Sequence, residues 1–271
     1  MADGAGAYLL VLLDERPAAE PRELAAALAR VLGRVRYDVL SALKLNPHVP
    51  FADLSADAAR AAAECLAAAG VRAAALPAER LPPAGRAFTV HRAAPGEEGL
   101  EVQTDLAGGG QVLAWDGTEA VSAATVTETS VPAGFDGGSI RENIQAARAL
   151  SLALGPGLGL PRMASVVEPD PSPASKTSTY VVLCVMPAGA DFEVRMRADQ
   201  LNYEYLGPRL SNNSAENFRA LAAEVVSRAA SARVHGWARN LAETGASPPA
   251  LDRHGLARLN QWLRLLAREG L

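Results

Sequence analysis

The sequence predicts an α+β protein in two parts: a small α/β module, then antiparallel strands closed by a C-terminal helix. Three observations carry this. Up to residue 76, short apolar runs alternate with segments whose apolar residues recur at helical spacing. Beyond a proline-thickened stretch, Pro77 to Pro83, the hydrophobic period drops to two, as half-buried strands require. Near the end, Leu256, Leu259, Trp262, Leu263 and Leu266 fall on one face of a helix. The expected domains are residues 1–80 and 86–271, with a helical insertion at about 130–177 in the second.

In the first part, residues 8–13 are continuously apolar and read as a strand buried on both faces. Pro21 suits the first position of a helix, along which Leu24, Leu28, Val31 and Leu32 follow at helical spacing until Gly33 stops it. A second helix runs from Tyr37 to about Leu45, and Asn46-Pro47 ends it before a short edge strand around Val49–Phe51. Ser55 is a good cap for a third helix that carries Ala58, Ala62, Cys65, Leu66 and Ala69 and stops at Gly70. Val71 to Leu76 returns as a strand, and right-handed crossovers are expected to gather the strands into one small sheet with helices on a face.

That order, with Leu9–Leu13, the helix ending Val31-Leu-Gly33, the helix Tyr37 to Leu45, and Leu54–Ala59 leading to Ala67-Ala-Ala-Gly-Val71, resembles the C-terminal domain of the bacterial ribosomal stalk protein L7/L12. The resemblance spans roughly residues 7–77 and implies the βααβαβ fold. In that family a lysine-rich face on the paired helices recruits translation factors. The matching segment here has Arg34, Arg36 and Lys44 beside Asp38, so the fold is carried over and the factor-binding role is not.

In the second part, Phe88 to Arg92 and Leu100 to Asp105 alternate, and Gly108-Gly-Gly110 turns the chain into Gln111 to Trp115. Asp116-Gly117 is a hairpin signal leading into Glu119 to Thr127. A Gly/Pro-rich lead, a helix capped by Ser139 and the stop Gly155–Pro161 form the insertion. The strand Tyr180–Met186 suits burial on both faces, whereas Phe192–Ala198 alternates and is expected to keep one wet face. A long helix, Ser214 to Arg233, and a further helical stretch to Glu243 precede the last helix. Several antiparallel strands closed by a terminal helix resemble a pleckstrin-homology-like split barrel. Lipid-binding members of that family carry a basic first hairpin, and the matching loop here is Pro95-Gly-Glu-Glu-Gly99, which argues against phosphoinositide binding.

Composition excludes several classes. A formal charge of -4 and a pI near 5.7 oppose nucleic-acid binding, which needs clustered cations to displace counterions. No apolar run reaches the roughly 20 residues of a membrane span, and the leader carries Asp3 with no base, so a cytoplasmic protein is expected. Cys65 and Cys184 sit among apolar neighbours and read as buried free thiols. His48, His91, His235 and His254 have no second ligand at metal spacing. Gly155-Pro-Gly-Leu-Gly159 follows a helix rather than a strand, which makes it a helix stop and not a phosphate loop.

The densest polar and aromatic cluster is Asn202-Tyr-Glu-Tyr-Leu-Gly207 with Asn212, Asn213 and Asn217. It reads either as a plug of Tyr203 and Tyr205 with Asn213 and Glu216 forming a capping box, or as a recognition surface. The segment Ala146–Leu160 and the last helix either fold back on their own domain or bind a partner groove. The expected interaction surface is therefore Tyr203, Tyr205, Asn212, Leu256, Leu259 and Trp262. No catalytic residue, cofactor or metal is expected. The expected function is that of a non-catalytic cytoplasmic adaptor with protein partners. The alternative is a small-molecule-binding sensor with a pocket between the 139–154 helix and the sheet, and an enzyme of unrecognised family ranks third.

Overall fold

A computed structural model describes residues 7–15, 19–103, 110–130 and 176–271. Residues 1–127 and 179–271 form one compact unit and residues 128–178 a second. The helix expected at 139–154, the loop 155–161, the segment 146–160 and the proposed pocket beside them lie outside the described residues, as does the turn 108–109.

Strand β1 (Tyr8–Leu12) is the centre of the first layer, flanked by β2 (Phe51–Leu54) and β3 (Ala73–Pro77). Both neighbours run antiparallel to β1, so β2 and β3 run parallel to each other with β1 between them. Helices α1 (Pro21–Leu32), α2 (Arg36–Leu45) and α3 (Ala56–Ala68) cover one face, where Leu10 and Leu12 meet Leu24, Leu28, Val39 and Leu66. The sequence signals for these helices hold. Pro21 opens α1 and Gly33 closes it at φ 61°, a left-handed conformation that glycine adopts without steric cost. The Ser55 hydroxyl accepts a hydrogen bond from the Ala58 N–H.

The second layer is a mixed sheet in the order β11 (Arg233–Val234), β8 (Thr118–Ser130), β9 (Lys176–Pro187), β10 (Phe192–Arg197) and β4 (Arg86–Val90). A short strand β12 (Ala250–Leu251) also pairs with β8. Strands β5 (Arg92–Pro95), β6 (Gly99–Gln103) and β7 (Gly110–Ala114) form a separate antiparallel sheet. One face of the mixed sheet packs under α4 (Ser214–Arg228) and α5 (Gly236–Thr244), with Val121, Leu183, Val194 and Met196 against Phe218, Leu221 and Leu241.

Helix α6 (Arg253–Glu269) lies between the two layers. Leu259, Trp262, Leu263 and Leu266 share a cluster with Leu9 and Val11 of β1 and with Ala120 and Met186 of the mixed sheet. This explains the double burial of β1: its even positions face α1 to α3 and its odd positions face α6. The Trp262 indole N–H donates to the Leu12 carbonyl at 2.7 Å, and Gln261 donates to the Pro82 carbonyl, tying the proline stretch to the same helix.

Three local expectations differ from the fold. No closed barrel forms among the described residues, because β5 to β7 and β8 to β10 belong to different sheets. Asp116-Gly117 makes no hairpin: neither residue has a positive φ, which the hairpin turn requires, and β8 leaves the sheet of β7. Finally, α4 ends at Arg228, and Arg233–Val234 becomes a strand along β8.

Candidate functional site

A cleft of about 770 Å³ opens at the C-terminal end of α6. Its charged lining comes from four places in the chain: Glu15 after β1, Glu119 on β8, Arg233 on β11 and Arg239 on α5. Leu266 supplies part of the apolar floor and Ser231 part of the rim. Pairing Arg233–Val234 with Ala120–Val121 brings β11 against the start of β8, so Glu119 and Arg233 reach one cavity.

The two carboxylates are already engaged. Glu15 Oε2 accepts from the Gly236 N–H at 2.8 Å, at the positive end of α5. A Cβ at Gly236 meets that same oxygen, the free end of the Glu15 side chain, which then has to shift. Glu119, nearly buried, is clamped by Arg268 at 2.6 Å and Arg264 at 3.4 Å. Arg264 also donates to the carbonyls of Ala190 and Phe192, and burial pulls its pKa down.

The cations are less satisfied. Arg233 donates to the Leu271 carbonyl oxygen, and its pKa is lowered by burial, with Arg72 and Arg239 pushing the same way against the attraction of Glu15. The guanidinium of Arg239 has no hydrogen bond or ion pair among the described residues. The only lining hydroxyl with a partner is Thr118, which donates to the Ala114 carbonyl, so no hydroxyl of the described lining is hydrogen-bonded to a base.

Behind the cleft stands an aromatic cluster of His48, His235, Trp237 and Trp262. The His235 Nδ1 accepts from the Trp237 N–H at 3.2 Å, capping α5, and its Nε2 lies 3.9 Å from Glu15 Oε2. His48 stacks on Trp262 with its Nδ1 buried and without a hydrogen-bond partner among the described residues; burial, then the nearby His235, lowers its pKa to about 4.

On the far face of the mixed sheet, side chains expected to be wet are covered by α6. The Ser122 hydroxyl donates to Asn260 Oδ1 at 2.6 Å, the Asn260 amide donates to Glu193 Oε2 at 2.8 Å, and Arg195 pairs with Glu193 Oε1 at 2.5 Å. Cys184 lies in this network's field, its thiol pushed up to about 12 by burial and by Glu193. Both cysteines are free; Cys184 is buried and Cys65 half-buried.

The six residues singled out from sequence do not meet at the cleft. Tyr203 is core, its hydroxyl donating to the Ala198 carbonyl at 2.9 Å. Tyr205 is half-buried and Asn212 exposed. Leu256, Leu259 and Trp262 are at most 2% exposed because α6 folds back onto its own unit: Leu259 and Trp262 pack between the layers and Leu256 against Ala124, Val126, Val182 and Cys184 of the mixed sheet. Around them the cap is well made: Asn213 accepts from the Ala215 N–H, while Glu216 accepts from the Ser211 hydroxyl and not from the Asn213 backbone. The cleft residues escaped sequence reading because Glu15, Glu119, Arg233 and Arg239 share no motif spacing. The exposed apolar side chains Val35, Tyr37 and Leu45 lie on the α1–α2 layer, with Tyr37 and Leu45 at positions i and i+8 of α2.

Among the described residues no group of His, Cys, Asp and Glu is placed to hold a metal ion, and no helix is long and apolar enough to cross a membrane. Compared with known proteins, the chain matches no family model, no curated protein and no solved structure.

Proposed function

We propose that this chain is a non-catalytic binding protein that takes a small polar molecule in the cleft at the end of α6. One observation carries the reading: charged groups from four separated segments converge on a cavity of about 770 Å³, a size that suits a small ligand. The engaged carboxylates and the lack of a base beside a lining hydroxyl favour binding over acyl or phosphoryl transfer. A thermal-shift screen of a metabolite set against the full chain and Ser231→Trp, which fills the exposed rim, tests this. Ligands that raise the melting temperature of the parent but not of Ser231→Trp support the cleft. Identical responses from both proteins refute it.

A second reading is a cytoplasmic adaptor with a protein partner, favoured by the exposed apolar face of Val35, Tyr37 and Leu45. The βααβαβ order and antiparallel pairing of residues 7–77 support a fold like that of the L7/L12 C-terminal domain. In that case Tyr37→Glu abolishes partner capture while leaving cleft ligands unaffected.

A further inference from the structure

We infer that the cleft selects oxyanions, carboxylate or phosphate, with Arg239 and Arg233 as the recognising pair; this rests on the reading of the cleft as a ligand site. The argument is one of satisfied and unsatisfied groups. A ligand must complement the hydrogen-bonding capacity that the lining leaves unused. Of the acceptors, Glu119 takes Arg268 and Arg264, and Glu15 takes the Gly236 N–H on Oε2, with Oε1 left open among the described residues on the partly exposed side chain. The Leu271 carbonyl takes Arg233. The donors are in surplus. Arg239 offers its whole guanidinium, which has no partner among the described residues, and only one Arg233 nitrogen donates to a described residue.

Electrostatics point the same way. Arg233 is flanked by Arg72 and Arg239, and among the described side chains Glu15 is the carboxylate that attracts it. Arg72 is itself paired with Asp14 at 2.7 Å, so of these three arginines Arg239 is the one with no counter-ion among the described residues. An oxyanion between Arg233 and Arg239 relieves their mutual repulsion and accepts two charge-assisted hydrogen bonds from planar forks whose geometry matches carboxylate and phosphate. A cationic ligand meets the opposite situation: Glu119 is already paired with two arginines, and the remaining carboxylate, Glu15, stands in the field of Arg233. The half-buried setting of Arg233 strengthens the attraction relative to bulk water.

The test is calorimetric titration of the full chain at low ionic strength with four probes: inorganic phosphate, succinate, glucose and putrescine. Phosphate or succinate is expected to bind one to one, and the two arms distinguish phosphoryl from carboxylate ligands. Arg239→Ala, an exposed truncation that leaves the core intact, is expected to weaken binding about tenfold, the loss of one charge-assisted contact. Ser231→Trp is expected to abolish binding while melting like the parent. Equal oxyanion affinity in the parent and Arg239→Ala, or no oxyanion binding at millimolar concentration, overturns the assignment. Glucose or putrescine binding that Ser231→Trp removes, without oxyanion binding, overturns the oxyanion class and leaves the cleft as a ligand site. If the metabolite screen also cannot tell Ser231→Trp from the parent, the cleft itself fails.

Discussion

The imidazole of His48 lies stacked on the indole of Trp262, ring centroids 4.0 Å apart and planes 17° from parallel. The stack joins the segment before β2 to the helix between the layers. It also holds a titratable ring where a charge is poorly solvated, which lowers its pKa from 6.5 to about 4. Between those values the unfolded chain binds a proton that the folded chain refuses, so stability rises with pH across the window. This contribution is complete above about pH 6.5 and lost as pH falls to about 4, worth about 3 kcal/mol at most. His48→Phe keeps an aromatic partner for Trp262 and removes the proton. Urea unfolding at pH 7.5 and 4.5 is expected to show a steep loss for the parent and a shallower one for His48→Phe; equal losses exclude His48 as the titrating group.

The chain Ser122–Asn260–Glu193–Arg195 anchors α6 to the mixed sheet through buried polar groups. Asn260→Leu removes a donor to a buried carboxylate and an acceptor for a buried hydroxyl. It is expected to cost about 2–4 kcal/mol, because unsatisfied buried groups lose their solvation without compensation. Chemical denaturation measures it. A loss below about 0.5 kcal/mol, within the range of ordinary surface substitutions, rejects the anchoring role.

The two tyrosines of the capping region make opposite predictions. Tyr203 donates to the Ala198 carbonyl, so Tyr203→Phe leaves that oxygen unpaired and costs about 1 kcal/mol. The Tyr205 hydroxyl is buried without a partner among the described residues, so Tyr205→Phe is neutral or stabilising, within about 0.5 kcal/mol. Thermal melts of the two variants should diverge; the reverse order refutes the hydrogen-bond assignment.

Much of this was legible locally. The caps at Ser55 and Asn213, the glycine stop at Gly33 and the apolar stripe of α6 depend on residues within a turn or two of each other. The end of α4 and the corner at Asp116-Gly117 were not, because each is set by a strand that pairs with a distant segment: Arg233 opposite Ala120, and β8 beside β9 rather than β7. Local preference is a weak prior when a tertiary pairing competes with it.

Gly236 offers a test of the link between the layers. Gly236→Ala forces the Glu15 carboxylate off the start of α5 and is expected to destabilise by about 1–2 kcal/mol through loss of a charged acceptor at a helix N-terminus. Glu15→Ala combined with Gly236→Ala should cost little more than Gly236→Ala alone, as residues sharing one contact are not additive. Full additivity in a double-mutant cycle rules the contact out.

Thiol chemistry separates the cysteines. Cys65 is half-buried and should react with an aromatic disulfide reagent in the native state. Cys184, whose thiol is pushed up to about 12 by burial, should react only on unfolding. Native-state labelling of both, read by mass spectrometry, contradicts the packing around β9.

Among the described residues, the sequence alone determined the segments that became α1 to α6, where several of them start and stop, and that β1 and β9 are apolar enough for burial on both faces. What covers those faces only the tertiary structure decided. Helix α6 lies against both layers because its buried residues, the polar Asn260 and Arg264 included, extend around most of its surface, and Leu265 is as buried as Leu263. That placement buries Leu256, Leu259 and Trp262, draws Glu193 and Asn260 into the interior, and opens beside its end the cleft of Glu15, Glu119, Arg233 and Arg239. Periodicity records how much of a side is apolar. The partner that meets it is fixed by long-range contacts, whose closure leaves no trace in the spacing of residues along the chain.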